Sequence, residues 1–498
     1  MALIFYQTPG MNIKLTAVLF FALTLAGLYG KAQDTPTTKQ AIERLQKDVP
    51  DLMQKADIPG MSIALIHNGK LAWTGSFGVM NADSKVPVTP ETVFEAASLS
   101  KCVFAYGVMK LVDEGKLNLD TPLTKYLGNN YGVTDPRINQ ITARRVLTHS
   151  SGFPNWREND NSKVLIIHFN PGEKWSYSGE GLVYLSKVVE KITGQSLEDF
   201  MQQTVLKPLG MNASSYTWQE RFDKTKAYRH DDLGKVSGRT EKIGGGDLEA
   251  INEGANAAAS LTTNAADYAK FIIAVLNGTG LSKNIREQML SPQIRVTQKY
   301  PELAWGLGVG LETTPDGTWF WHWGDNGDAK AFYMASVSRK DAVVYFANSS
   351  TGLSIAPEIL ADAVGGTHPS LKNLGYERYN SPARRLLKSI IADGAAGALN
   401  TYRDARASDT TQKITEQDMN SMGYTLIRMK KLDDALQVFK QNTDDFPGSW
   451  NAWDSYAEGY MDKGDKENAI KYYHKSLELN PQSENGKKML AQLGAEKN

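Results

Sequence analysis

Ser98 and Lys101 stand three residues apart in Ser98-Leu99-Ser100-Lys101, the spacing that puts two side chains on one face of a helix. A serine hydroxyl is a weak nucleophile until a neighbouring base takes its proton, and an amine one turn away can be that base. The pair alone is a weak signal, because Ser-x-x-Lys arises by chance in a chain of this length. Its setting is more informative. Thr92-Val93-Phe94 leads into it and the apolar run Val103 to Val112 follows, so Ser98 lies where a helix begins. Unpaired backbone N–H groups and the positive end of the helix dipole favour developing negative charge there. The bland reading of such a serine is a helix cap.

Three further segments follow in order: Leu147-Thr148-His149-Ser150-Ser151-Gly152, Pro171-Gly172-Glu173-Lys174-Trp175-Ser176-Tyr177-Ser178-Gly179, and His322-Trp323-Gly324. With Thr92 to Lys101, they resemble the motifs of the serine β-lactamase, penicillin-binding and related esterase family, in particular its class C-related esterases and D-peptidases. The resemblance covers about Ile58 to Val364. It implies an acyl-enzyme on Ser98 and a proton relay of Lys101 with Tyr177. Which of the two is the base stays open: Tyr177 would need a lowered pKa, which a nearby ammonium would supply. The resemblance also implies substrate-binding positions at His322, Trp323, Gly324 and Asp325. The backbone N–H groups of Ser98 and Asp325 would form the oxyanion hole, each such donor being worth about 3 kcal/mol.

Two positions depart from the family pattern. His322 stands where many members have lysine, which reduces the fixed positive charge available to a substrate carboxylate. Gly179 stands where lactam-acting members usually carry asparagine, which removes an amide that would bond a lactam or peptide. Both favour small esters over penicillins. Among the bystanders, His149 reads as a brace for the turn beside it, and Trp323 as either packing or a wall of the acyl pocket. Cys102 is the only cysteine; it excludes an internal disulfide and reads as a small buried hydrophobe.

The elements that must position these groups can be read from periodicity. Ile42, Leu45, Val49 and Leu52 give helical spacing over Lys39 to Lys55. Met61 to His67 and Leu71 to Val79 flank Asn68-Gly69, a hairpin turn because both central residues need positive φ. Helical segments fill about Ser100 to Asn277. Strands return at Trp305 to Leu311, Trp319 to Trp323, Ala331 to Val337 and Ala342 to Ala347, followed by a helix from Ser354 to Ala363. Strands at both ends of a helical stretch imply an α+β fold: one antiparallel sheet flanked by helices, a helical lobe, and a crevice between them.

The C-terminal part repeats. Gly423 corresponds to Ala457, Ala435 to Ala469, Phe439 to Tyr473 and Pro447 to Pro481, and the shared offset of thirty-four residues is the tetratricopeptide period. The second copy resembles that family closely at Trp453, Tyr456, Ala457, Tyr460, Ala469, Tyr473 and Pro481. The first departs, with Met419 and Leu426 at its tryptophan and tyrosine positions. Two copies are few for such an array, so neighbouring helices are expected to cap it. The division expected is a signal peptide at 1–33, a hydrolase domain at 34–368, an all-α helical connector at 369–412 and repeats at 413–498.

Composition narrows the rest. The chain has 498 residues, 55 basic and 55 acidic side chains, and no basic block to track a phosphate backbone, so nucleic acid is not an expected partner. Lys14 precedes the apolar run Leu15 to Leu28 and the small residues Gly30 and Ala32, the order of a signal peptide. The run is shorter than the roughly 20 residues a spanning helix needs, so export to the periplasm or beyond is expected rather than a permanent span. Met11 makes a compact alternative start. No His or Cys pairs have metal-ligand spacing, and Gly244-Gly245-Gly246 lacks the lysine of a phosphate loop; no cofactor is expected. A small-molecule or peptide substrate and a protein partner for the repeats are the expected ligands.

Overall fold

A computed structural model describes residues 35–128, 131–157, 165–238 and 254–494. The expected leader and the Gly244-Gly245-Gly246 run lie outside the described residues. The described chain divides into two units, 1–376 and 377–498.

In the first unit, α1 (Thr38–Lys55) starts with a capping box between Thr37 and Gln40 and buries Leu45, Val49 and Leu52, as its spacing dictates. Strands β1 (Gly60–His67) and β2 (Lys70–Gly78) pair antiparallel. Their turn has φ of 50° at Asn68 and 68° at Gly69, the left-handed conformation that an Asn-Gly turn adopts readily. The nucleophile region leads into α2 (Ser100–Asp113). Then come α3 (Gly179–Thr193) and α4 (Ala265–Asn277). The chain returns to the sheet with β3 (Ile294–Arg295), β4 (Leu303–Trp305), β5 (Gly310–Thr314), β6 (Gly317–Asp325), β7 (Lys330–Ser336) and β8 (Ala342–Ala347). Helices α5 (Ala356–Ala363) and α6 (Pro369–Leu374) follow.

The eight strands form one sheet in the order β2-β1-β8-β7-β6-β5-β4-β3, so the N-terminal hairpin completes a sheet built by the far end of the unit. Met61 pairs with Ala347 and Ile66 with Ala342. Seven of the eight β1 residues are buried, which requires cover on both faces; α1 and α4 pack against the strand and supply it. Helix α2 is buried nearly all round, from Ser100 to Met109, the pattern of a helix inside a core rather than on its surface.

The run Trp305 to Leu311, expected as one strand, is broken into β4 and β5. Gly306 N–H donates to Val309 O at 2.9 Å and closes a turn. Gly308, at φ 87°, would place a Cβ 2.2 Å from that of Ala105 on α2. Glycine at this point lets the turn lie against the nucleophile helix, and apolar neighbours disguise it as strand in the sequence.

The second unit is all helical. The segment read as a connector divides at 376/377, and its two long helices, α7 (Pro382–Asp393) and α8 (Ala395–Ser408), belong with the repeats. They pack on α9 (Glu416–Arg428) and α10 (Leu432–Asp445), where Arg403 bonds Gln441 at 2.7 Å. Helices α11 (Trp450–Asp462) and α12 (Lys466–Leu479) form the next pair. Helix α13 (Glu484–Gln492) caps it by placing Leu490 against Ala457, Ala469 and Tyr473. No helix among the described residues is long and apolar enough to cross a membrane.

Candidate active site

Glu95 fixes the approach to Ser98. With Phe94 it forms a two-residue strand paired with Thr262–Thr263. Its buried carboxylate bonds Lys226 at 2.8 Å, Arg229 Nε at 2.9 Å and Asn326 at 3.0 Å. Burial pushes the Glu95 carboxyl up, but the two cations outweigh it and hold it well below the usual range, as buried charges require. Ala97 then takes φ 47°, an uncommon conformation for a residue with a Cβ. Ser98 follows on a tight turn, Ala97–Leu99, that precedes α2; the helix proper opens at Ser100, whose hydroxyl ties back to Ala97 O at 2.5 Å.

The helix spacing delivers what it implied. Lys101 Nζ lies 2.9 Å from Ser98 Oγ and donates to Ala258 O at 2.7 Å. Ser98 is half-buried and Lys101 is 1% exposed. Burial lowers the lysine from its ordinary range to about 7, because the charged form loses its hydration. Near neutral pH a large share of Lys101 is therefore free amine, with a lone pair to accept the Ser98 proton. Its nitrogen sits 4.9 Å from the Tyr177 ring centre and 5.6 Å from that of Trp156.

Tyr177 behaves differently. Its hydroxyl is enclosed and makes no well-aligned hydrogen bond. Burial drives its pKa up, and the nearby Ser98 hydroxyl offsets only part of this. The phenol keeps its proton. His322 reinforces this state: it is buried, and burial together with Lys101 takes it down to about 3. Its Nδ1 lies 2.6 Å from Trp323 O, and a carbonyl only accepts, so Nδ1 carries the proton. Nε2 is then a bare acceptor with no partner. Neutral His322 supplies no charge to hold a phenolate or a substrate carboxylate.

The remaining positions gather around these. The Tyr177 ring packs on Trp323 at 4.9 Å and on His149 at 4.4 Å between centroids. His149 braces the Tyr177 segment at two points: its Nδ1 accepts from Ser178 N–H at 3.1 Å and its carbonyl from Ser176 N–H at 2.7 Å. Gly324 leaves β6 free to lie on the nucleophile turn, since a Cβ there would meet Ala96 O at 2.4 Å. Asp325 ends β6, its carboxylate held by Lys330 Nζ, by Gly327 N–H at 2.9 Å and by the Tyr376 hydroxyl at 2.7 Å.

The β-lactamase family profile matches residues 45–363, and a tetratricopeptide repeat profile matches residues 450–483. This chain belongs to the β-lactamase family. Members of this family are serine hydrolases. The protein flp of Staphylococcus aureus (strain N315) is 28% identical over 225 residues, 42% of this chain and 44% of that protein. A β-lactamase of Pseudomonas fluorescens is 33% identical over 199 residues, 38% of this chain and 54% of the relative. The chain thus spans about half the length of these relatives or less. Among solved structures, the octameric penicillin-binding protein homologue of Pyrococcus abyssi aligns with a TM-score of 0.55 at 25% identity, covering 70% of this chain and 82% of that one. The D-alanine carboxypeptidase AmpC of Burkholderia cenocepacia shares the fold, with a TM-score of 0.55 at 20% identity, 65% and 99% of the two chains being covered.

Within this β-lactamase-family site, Gly179 has a reason that its sequence position concealed. A Cβ there would meet the Trp156 ring at 2.8 Å and Asn155 O at 2.9 Å. The place of an asparagine side chain is thus filled by a neighbouring loop, and Gly179 N–H bonds the Asn155 side chain at 3.0 Å. An asparagine there would have to displace the Trp156 ring and the Asn155 carbonyl. Sequence reasoning also passed over Trp305, which is fully buried and contacts His149, Tyr177 and His322. Its apolar run read only as strand. Trp156 and Tyr376 sit in irregular segments with no periodicity to mark them.

Proposed function

We propose that the protein is an exported serine acyl hydrolase acting through an acyl-enzyme on Ser98, with a small ester or D-amino-acid amide as substrate. The observation that carries this reading is the 2.9 Å contact between Ser98 Oγ and a Lys101 amine brought to about 7 by burial. Lys101 is the general base: its lone pair takes the hydroxyl proton as Oγ attacks the carbonyl carbon. The N–H groups of Ser98 and Asp325 receive the negative charge that develops on the carbonyl oxygen. The protonated Lys101, with the Tyr177 hydroxyl beside it, returns the proton to the leaving group. Water then attacks the acyl-enzyme by the same route in reverse. His322, Trp323 and Gly324 shape the substrate side.

Esters suit this site better than lactams or carboxylate-bearing peptides. Neutral His322 offers no counter-charge, and Gly179 is roofed by Trp156. The passage of the chain out of the cytoplasm is supported by the order of Lys14, the apolar run and the small residues after it. The repeats serve as a docking module for a protein partner, and a groove of about 510 Å³ reaching Leu436, Tyr456 and Tyr460 suits an extended peptide.

The test is labelling with a fluorophosphonate and turnover of p-nitrophenyl esters against nitrocefin. Ser98 is expected to carry the label, and kcat/KM for a short-chain ester to exceed that for nitrocefin. Labelling that persists in Ser98→Ala would overturn the mechanism, and nitrocefin turnover near the diffusional limit of about 10⁸ M⁻¹s⁻¹ would overturn the substrate class.

A further inference from the structure

The chain returns to the active site after the family match ends at residue 363. Beyond α5, the buried His368 imidazole pairs with the Glu312 carboxylate of β5, and Ser370 N–H donates to the other Glu312 oxygen at 3.1 Å. The start of α6 is thereby tied to the sheet. Helix α6 stops at Gly375, whose left-handed φ of 68° redirects the chain. The next residue is Tyr376. Its hydroxyl donates to Asp325 Oδ2 at 2.7 Å, and the Lys330 ammonium lies 5.6 Å from its ring centre. The Trp323 side chain is close enough to its oxygen to favour the phenolate, against the larger opposing effects of burial and Asp325.

We propose that Tyr376 is a positioning residue for the oxyanion hole, holding the end of β6 in place through the Asp325 carboxylate. This rests on the assignment of Asp325 N–H as an oxyanion donor in the proposed function. The three bonds to Asp325 originate in two different parts of the fold. Lys330 is its register partner on β7 and Gly327 lies in the connecting turn, so both belong to the same hairpin and travel with it. Tyr376 does not. It comes from a separate segment anchored on β5 by Glu312, and it engages the oxygen that the hairpin leaves free. Of the three bonds to the Asp325 carboxylate, this one therefore reaches outside the hairpin, while the neighbouring Asn326 side chain reaches Glu95 separately at 3.0 Å. An oxyanion donor acts only if aimed at the place where charge develops, and a displacement of about 1 Å costs about a hundredfold.

The experiment uses the full chain and a short-chain p-nitrophenyl ester, comparing the wild type, Tyr376→Phe, Asp325→Ala and the double variant. Tyr376→Phe keeps the ring and removes only the donated hydroxyl. It is expected to lower kcat about tenfold with KM within about twofold, the signature of an interaction made in the transition state. In the Asp325→Ala background the same change should cost nothing further, because the bond it breaks is already absent. Wild-type kcat in Tyr376→Phe, a rise in KM alone, or losses that multiply in the double variant would each overturn the proposal. Should Tyr376→Phe melt early, Asp325→Ala tests the same bond from its other end: unchanged kcat there is equally fatal. A wild type that neither turns over ester nor labels at Ser98 would defeat the parent reading. An active, labelled wild type matched by Tyr376→Phe defeats only this one.

Discussion

The crevice around Ser98 and the interior of the helical unit are built on opposite terms. Around Ser98 the protein encloses groups that would be better solvated outside: Lys101, His149 and His322 are each at most 1% exposed, and burial disfavours the charged form of all three. In the helical unit ion pairs such as Lys440–Asp444 and Lys463–Asp433 lie at the surface, while its interior sets small residues against rings, Gly423 and Gly459 against Phe439. The first arrangement sacrifices stability to hold reactive protonation states. The second spends its interior on fit, so the two should respond to substitution in opposite ways.

The largest expected effect is at Lys101. Lys101→Met should lower kcat/KM for a short-chain ester by about 10⁴ or more, because a nucleophile and its base fail together. It should also raise the melting temperature of the first unit. The sign follows from the direction of the shift. Lys101 is held at about 7 in the folded chain against an ordinary 10.5, so unfolding favours its protonation. The cost to stability is complete below pH 7 and fades as pH rises toward 10.5. At pH 7–8 removing it should add about 1–3 kcal/mol, less than the full linkage because two hydrogen bonds go with it. Activity of the wild type should rise with pH through a midpoint near 7. Calorimetry and a pH–rate profile check both arms; a less stable Lys101→Met would erase the contrast drawn here.

The helical unit should show the reverse. In Gly423→Ala the new Cβ would lie 2.3 Å from the Phe439 ring, and overpacking of this kind costs about 1–3 kcal/mol. The loss should appear as an earlier unfolding transition of the helical unit, with ester kcat/KM unchanged. A fall in kcat/KM would mean that the repeats shape the site. The smallest effect belongs to Lys463→Ala. Its partner Asp433 is 83% exposed, and solvent-exposed pairs contribute about 0–1 kcal/mol. A shift within about 0.5 kcal/mol is expected by denaturant titration, and a larger one would show that the surface charges of this unit carry weight.

How much of this was legible in the sequence depended on the kind of constraint. Periodicity exposed α1, the Asn68-Gly69 hairpin and the thirty-four-residue repeat, because a buried face or a turn dictates residue type locally. Ser98, Lys101, Tyr177 and His322 were found from motif order, and they do converge. What escaped was set by distant partners. Gly306 and Gly308 looked like strand because their reason is Met289 and Ala105, far away in the chain. Gly179 looked like an opening because Trp156, its roof, sits in a loop. Tyr376 carried no local mark at all, since Asp325, fifty-one residues earlier, gives it its place. Spacing alone left the base open between Lys101 and Tyr177, because the burial that favours Lys101 in the proposed mechanism is a property of the finished fold.

Cys102 sits directly after the reactive lysine, fully buried on α2, with the Tyr333 hydroxyl 3.4 Å from its sulfur. Burial pushes the thiol up to about 12, which leaves almost none of the thiolate that would attack oxidants and disulfides. The single thiol of this chain is therefore silent whatever the redox poise around it. It becomes reactive only when the nucleophile helix comes apart, which makes it a native reporter: the rate at which a thiol reagent consumes Cys102 measures how often the catalytic core opens.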